Sequence, residues 1–319
     1  MKTRFYTFLL LTIGLFSCKT GIKETTPDNS HGKMEYKTTY SQSTNFTGII
    51  KELQTNELIP FATIKLSDEK GVKRAAATDL NGYFSIKDLP LGNYRMFISA
   101  VGYESIENIF RVESHANYEL NIKLSKSEIR LEKPVIYLYP TEKQKVHVKL
   151  KYAGTLTHTY PKYPENGWLV IAEPNGTLWD TNKLEYYALF WEGKPKKQII
   201  PQDGFVVAGN ETAAFLEEKL AYLGLTRREA NEFIMYWLPR MEDNAFNFIH
   251  FSGKDYEDQA ELEIHPKPET TIRIMMITQA LDYKIKVPLQ DLNTLKKTRN
   301  GFTVVEWGGS VINHFKEDS

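Results

Sequence analysis

The stretch from Phe46 to about Lys126 constrains the fold most, because it breaks into short alternating segments separated by turn residues at close spacing. The segments are "FTGIIKE", "IPFATIKLS", "GYFSIKDL", "YRMFISAVGY", "ENIFRVE" and "YELNIKLS". Successive side chains of an extended strand point to opposite faces. Ala62, Ile64 and Leu66 therefore share one face, and Thr63 and Lys65 the other. One dry and one wet face per strand, with turns this frequent, is the pattern of a small all-β sandwich. Asn81-Gly82 supplies the positive φ angles of a tight hairpin, and Pro90 with Gly92 shapes a second turn.

The centre of this unit, "TDLNGYFSIKDLPLGNYRMFISAVGYES", resembles the carboxypeptidase regulatory-like domain, a transthyretin-like sandwich. The resemblance rests on Thr78, Asp79, Gly82, Phe84, Leu89, Pro90, Gly92, Tyr94, Gly102 and Tyr103. It implies a spacer or interaction module and no catalyst. Asp79 is expected to tie up turn amides. "SDEK" (Ser67 to Lys70) has the spacing of an acylating Ser-x-x-Lys, but it precedes Gly71 in a hairpin loop, whereas that chemistry needs a helix to return Lys to Ser.

At 319 residues the chain has room for two domains, at about 100 to 200 residues each. All five tryptophans lie in a second unit, 131–319. "KPVIYLYP" is apolar on both sides, with Val135, Tyr137 and Tyr139 opposite Ile136 and Leu138, as in a strand covered on both faces. "VHVKLKY" alternates instead, "GWLVIAEPNGTLWD" reads as a hairpin around Pro174, Asn175 and Gly176, and "EYYALFWEG" reads as a further buried strand. Asn210 is placed to cap a helix over "ETAAFLEEKLAYLGL" that Gly224 stops. Thr226 and Glu229 form a capping box for "TRREANEFIMYWLP", with Leu225 and Ala230 as a hydrophobic staple. "NFIHFS", "ELEIHP", "TIRIMMITQAL", "YKIKVPL" and "FTVVEWGG" complete the strand candidates. The expected fold is mainly β: a small Ig/transthyretin-like β-sandwich (46–126) followed by an α+β domain (131–319) whose sheet core is covered by two helices. "KPVIYLYP", "GWLVIAEPNGTLWD", "YYALFWEG" and "NEFIMYWLPRMEDNAFNFIHF" resemble an uncharacterised domain of secreted and lipid-anchored microbial proteins, which carries over no catalytic residues.

Lys2 and Arg4 followed by the apolar run Phe5 to Phe16 read as a signal peptide over 1–17, too short to span a membrane. Leu15, Ser17 and Cys18 resemble a bacterial lipobox, which implies lipid attachment at Cys18, the sole cysteine. The expected location is the cell envelope, anchored to a bacterial membrane and taken to be the outer one. The body after Cys18 has no thiol, which excludes cysteine nucleophiles, thiolate metal sites and disulfides. Residues 18–45, polar and without periodicity, are expected to be a flexible tether with His31 solvated. Lysine and arginine total 40 against 40 acidic residues, and without Lys2 and Arg4 the count is 38 against 40. Such balance gives no electrostatic footprint for nucleic acid.

No His-Glu-x-x-His, Gly-x-Ser-x-Gly, P-loop or dinucleotide fingerprint is present, and no cofactor is expected. Flat aromatic faces match the C–H face of a pyranose, and flanking carboxylates take its hydroxyls. Trp179, Tyr187 and Trp191, flanked by Asp180 and Glu192, form the best candidate cluster for binding, although aromatics in strands buried on both faces, such as Trp191, usually serve the core. Asp180 and Glu192 are the alternative catalytic pair of a glycosidase, against which stands a plain role as strand-end charges, as for Glu173 and Glu185. Glu261, Glu263 and His265 alternate along one strand and would be a weak metal set, their spacing of about 6.5 to 7 Å being generous for one ion and equally that of a solvated face. His250 fits an interior hydrogen-bonded histidine, and His147 a lysine-lined face. The expected function is a lipid-anchored, non-catalytic binding protein for a glycan or an envelope protein, with a carboxylate-based envelope hydrolase as the alternative.

Overall fold

The computed structural model describes residues 32–127, 131–282 and 284–312, together with the backbone of 21–25. The expected signal peptide, Cys18 and His31 lie outside the described residues.

The first unit contains strands β1 (Gly21–Thr25), β2 (Gly32–Tyr40), β3 (Thr44–Glu52), β4 (Thr63–Asp68), β5 (Gly71–Ala77), β6 (Tyr83–Leu89), β7 (Gly92–Ser99), β8 (Ile106–Val112) and β9 (Ala116–Leu124). They form two sheets, β1-β2-β9-β3-β6 and β5-β4-β7-β8, packed face to face. The inward residues of the alternating strands, among them Phe46, Ile50, Ile64, Leu66, Phe84, Met96, Ile98 and Ile122, make one continuous core. The Asp79 turn has the chemistry that the sequence expects, but it joins β5 and β6 of different sheets and closes no hairpin, and of Asn81 and Gly82 only the glycine has positive φ. Asp79 Oδ1 accepts from the amides of Asn81 and Tyr83 at 2.8 and 2.9 Å, and Gly82 has φ +66°. Ser67 to Lys70 is the β4–β5 hairpin.

The tether expectation is corrected for 32–45. β2 pairs with β9 along its whole length, from Gly32 opposite Leu124 to Tyr40 opposite Ala116, and Met34 is fully buried in the core. The segment lacks apolar alternation because most of its side chains stay partly exposed, and backbone hydrogen bonds place it. β5 and β12, two edge strands absent from the sequence reading, are mostly solvent-facing for the same reason.

The second unit contains β10 (Glu132–Tyr139), β11 (Gln144–Tyr152), β12 (Gly154–Tyr160), β13 (Trp168–Ala172), β14 (Leu178–Trp179), β15 (Glu185–Tyr186), β16 (Leu189–Pro195) and β17 (Phe205–Ala208), then helices α1 (Thr212–Leu223) and α2 (Arg227–Trp237). β18 (Phe246–Ser252), the single turn α3 (Lys254–Glu257), β19 (Ala260–His265), β20 (Thr270–Leu281) and β21 (Thr303–Val311) follow. Three layers result. A seven-stranded sheet, β12-β16-β10-β21-β20-β18-β17, carries the five-stranded sheet β15-β14-β13-β11-β19 on one face and the helices on the other. β10 lies between β16 and β21, so Ile136 and Leu138 enter the sheet–sheet core while Val135 and Tyr137 enter the sheet–helix core.

The capping box is formed: Thr226 accepts from the Glu229 amide and the Glu229 carboxylate accepts from the Thr226 amide. Leu225 and Ala230 are both buried in the sheet–helix core. Gly224 ends α1 with φ +104°. Asn210 does not cap α1; it sits inside a 3₁₀ turn, Gly209–Glu211, that leads into the helix, so the cap position falls on Glu211, whose side chain makes no capping bond. "YKIKVPL" is not a strand. Residues 284–288 are irregular, and Leu289 makes one isolated parallel bridge to Gly204. "EYYALFWEG" divides into β15 and β16 in different sheets.

Candidate functional site

The helix-facing side of β10 and β16 and the flank of α2 together carry a strip of aromatic and charged side chains. Glu232 and Tyr236 are one turn apart on α2 and therefore share a face. Glu232 Oε2 accepts from Tyr137 Oη at 2.5 Å, and Tyr236 Oη donates to Glu132 Oε2 at 3.4 Å. The Tyr137 and Tyr139 rings are parallel at 6.3 Å, and Tyr187, 64% exposed, stands 6.3 Å from Tyr137 at 43°. Burial, reinforced by Glu232, raises Tyr137 far above the ordinary phenol range, and burial beside Glu229 raises Tyr139. Both phenols therefore stay protonated, with their O–H groups turned to Glu232 and Glu229.

At the other end of the strip β10 bulges between Glu132 and Val135, with Lys133 at φ +53°. This left-handed backbone turns the Lys133 ammonium over the Tyr236 ring at 4.8 Å, and the Arg240 guanidinium lies over the same ring at 4.2 Å. Glu192 Oε1 accepts from the Lys133 amide at 3.3 Å, and its Oε2 lies 3.3 Å from His158 Nδ1.

The structure separates the predicted cluster. Tyr187 belongs to the strip. Trp179 is half-buried on the other sheet and donates through Nε1 to Glu173 Oε1 at 3.2 Å. Trp191 is fully buried in the sheet–sheet core and donates to Glu306 Oε1 at 2.9 Å, so it offers no face to a ligand. Its neighbours on β16 explain this: Leu189 and Trp191 point to the sheet–sheet core, and Phe190 packs toward the helices.

The structure places Asp180 and Glu192 on different sheets. Asp180 Oδ1 accepts from the amides of Asn182 and Leu184 at 2.8 and 2.9 Å and closes the β14–β15 turn. Glu192, by strand alternation, lies on the helix side of the other sheet with Phe190. The weak metal set is corrected as well. Glu261 and Glu263 stand opposite Lys151 and Lys149 on β11, and both lie in ion-pair contact with the Lys151 ammonium. Among the described residues no group of three or more His, Cys, Asp or Glu is placed to hold a metal. His250 is largely interior, with Nδ1 3.0 Å from both the carbonyl and Oδ1 of Asp203.

Sequence reasoning missed Tyr137, Tyr139, Glu232 and Tyr236 as site residues. The signal was present in part: the reading of β10 put Tyr137 and Tyr139 on one side, and Glu232 and Tyr236 lie outside the apolar stripe of α2.

No curated protein sequence matches the chain. Solved structures similar to it include the major pilin subunit of Bacillus cereus, at 14% identity over 51% of this chain and 62% of that one, with a TM-score of 0.24. A streptococcal ancillary pilin follows at 12% identity over 57% and 73%, with a TM-score of 0.25. The full-length major pilin SpaD of Corynebacterium diphtheriae matches at 13% identity over 48% and 51%, with a TM-score of 0.23. The likeness thus spans less than two thirds of the Bacillus cereus pilin. Among the described residues no helix is long and apolar enough to cross a membrane. Residues 46–136 match the family model of the CarboxypepD_reg-like domain, which takes in β3 to β9 and the start of β10.

Proposed function

We propose that the chain is a lipid-anchored protein of a bacterial cell envelope that binds a glycan along the tyrosine strip of its second unit without turning it over. One observation carries the binding reading: Tyr187 exposes 64% of its surface beside two phenols and the Glu232 carboxylate. An exposed ring beside a carboxylate and phenol oxygens suits a sugar face and its hydroxyls. The reading without turnover is supported by Asp180, which closes a turn on another sheet and so is not the partner of Glu192 that a glycosidase would need. The CarboxypepD_reg-like sandwich serves as the spacer between anchor and binding unit.

The test is a screen of the full chain against cell-wall fragments and a glycan array, with hydrolysis products assayed in parallel. At least one saccharide is expected to bind, with no products, and Tyr187→Ala is expected to weaken it by about tenfold or more while leaving the thermal midpoint unchanged. Absence of saccharide binding, equal binding by the variant, or released products would overturn the reading. Anchoring is tested by mass spectrometry of the native amino terminus, which should carry acyl groups on Cys18.

A further inference from the structure

The solvent face of the five-stranded sheet in the first unit carries two clefts of about 450 Å³ each. That is within the range of small-ligand sites, about 300 to 1,000 Å³. They share Lys37, Thr47, Tyr83 and Glu119 and so form one continuous surface across β2, β9, β3 and β6. Lys37 and Glu119 are directly opposed across β2 and β9, a position where opposite charges on a sheet ordinarily meet. Here they make no ion pair, and among the described residues Lys51, Lys87 and Glu119 likewise have no side-chain partner. The other acid among the described residues that line the clefts, Glu35, is held by Lys33 at 2.5 Å. Among the described residues that line the clefts, three ammonium groups without a side-chain partner therefore face one such carboxylate. Tyr83, 43% exposed, stands among them with Thr47, Ser85 and Asn121.

We infer that this face is a second binding site, for an anionic saccharide. The excess of free cations selects a carboxylated or sulfated chain. An exposed tyrosine ring supplies a stacking platform, and the surrounding hydroxyl and amide groups suit sugar hydroxyls better than an acyl chain or an extended peptide backbone. The site uses none of the residues of the tyrosine strip, so it stands or falls independently of the function proposed above.

The full chain is titrated with an oligogalacturonate and with a neutral malto-oligosaccharide of the same length. The acidic oligomer is expected to bind, more weakly as salt is added, and the neutral one is not. The triple substitution Lys37→Gln, Lys51→Gln, Lys87→Gln is expected to weaken binding about tenfold or more. Tyr83→Ala alone should also weaken it, and Tyr187→Ala should leave it unchanged. Absence of binding, equal binding of the neutral oligomer that Tyr83→Ala weakens to the same degree, or affinity unaffected by both the triple variant and Tyr83→Ala would overturn the inference. So would loss of binding in Tyr187→Ala.

Discussion

Arg273 Nε donates to Glu306 Oε2 at 2.7 Å between the two sheets of the second unit, where the side chains are 6% and 1% exposed. Tyr256 Oη donates to the same oxygen at 3.0 Å and Trp191 Nε1 to the other at 2.9 Å, so one buried carboxylate organises β16, α3, β20 and β21. A buried ion pair replaced whole by apolar side chains is often neutral, but loss of one partner strands the other charge. Arg273→Met is therefore expected to cost about 3 to 5 kcal/mol, read from the denaturant midpoint of the full chain. A loss below about 1 kcal/mol, the range of surface pairs, would show that Glu306 finds solvent or a proton without consequence.

Met34 provides the sharpest test of where the first unit begins. It is fully buried among the sandwich core residues, twelve positions before Phe46. Met34→Ala is expected to destabilise by about 2 to 5 kcal/mol, measured by chemical unfolding. A residue in a solvated tether would change stability by about 0.5 kcal/mol or less, and that result would return residues 32–45 to the linker.

How much could be read beforehand depends on whether side chains or backbone decide a segment. The facing of β10 and the capping box of α2 are written in side-chain chemistry, and Val135, Ile136, Thr226 and Glu229 all sit where their pattern places them. β2 is placed by its ladder to β9, and "GKMEYKTTY" offers only Met34 and Tyr36 as apolar cues, so a polar composition read as tether. The site was half legible for a related reason. Alternation puts Leu189 and Trp191 on one face and Phe190 on the other, but it does not say which face meets a second sheet and which meets helices, so Trp191 and Tyr187 could not be separated.

His250 should make stability pH-dependent. Burial lowers its pKa, with Asp203 and Asp255 opposing that shift without cancelling it. A histidine whose folded pKa is depressed contributes stability that is present above its unfolded value, about 6.5, and is lost as pH falls through the folded one. The unfolding free energy is therefore expected to decline below pH ~6.5 by up to about 1.4 kcal/mol per pH unit, and His250→Gln should flatten that part of the curve. Glu217 beside Arg227 and Glu263 beside Lys151 are held below the usual carboxylate range and act in a separate, more acidic window. An unchanged slope near pH 6 in the variant would refute the assignment.

The seat of α2, and with it the tyrosine strip, depends on Arg299. Its guanidinium contacts the Glu229 carboxylate, donates through Nε to the Gly224 carbonyl at 3.1 Å, and lies over the Tyr139 ring at 5.6 Å. Glu229 is 2% exposed and also closes the capping box, so the arginine neutralises a charge that water cannot reach. Thr226→Ala removes only the cap and is expected to cost about 1 kcal/mol. Arg299→Met leaves the buried carboxylate unpaired and is expected to cost about 3 to 5 kcal/mol. The two losses should not add, because both act on Glu229. A double-mutant cycle measures this, and strict additivity would mean that cap and arginine hold the helix independently.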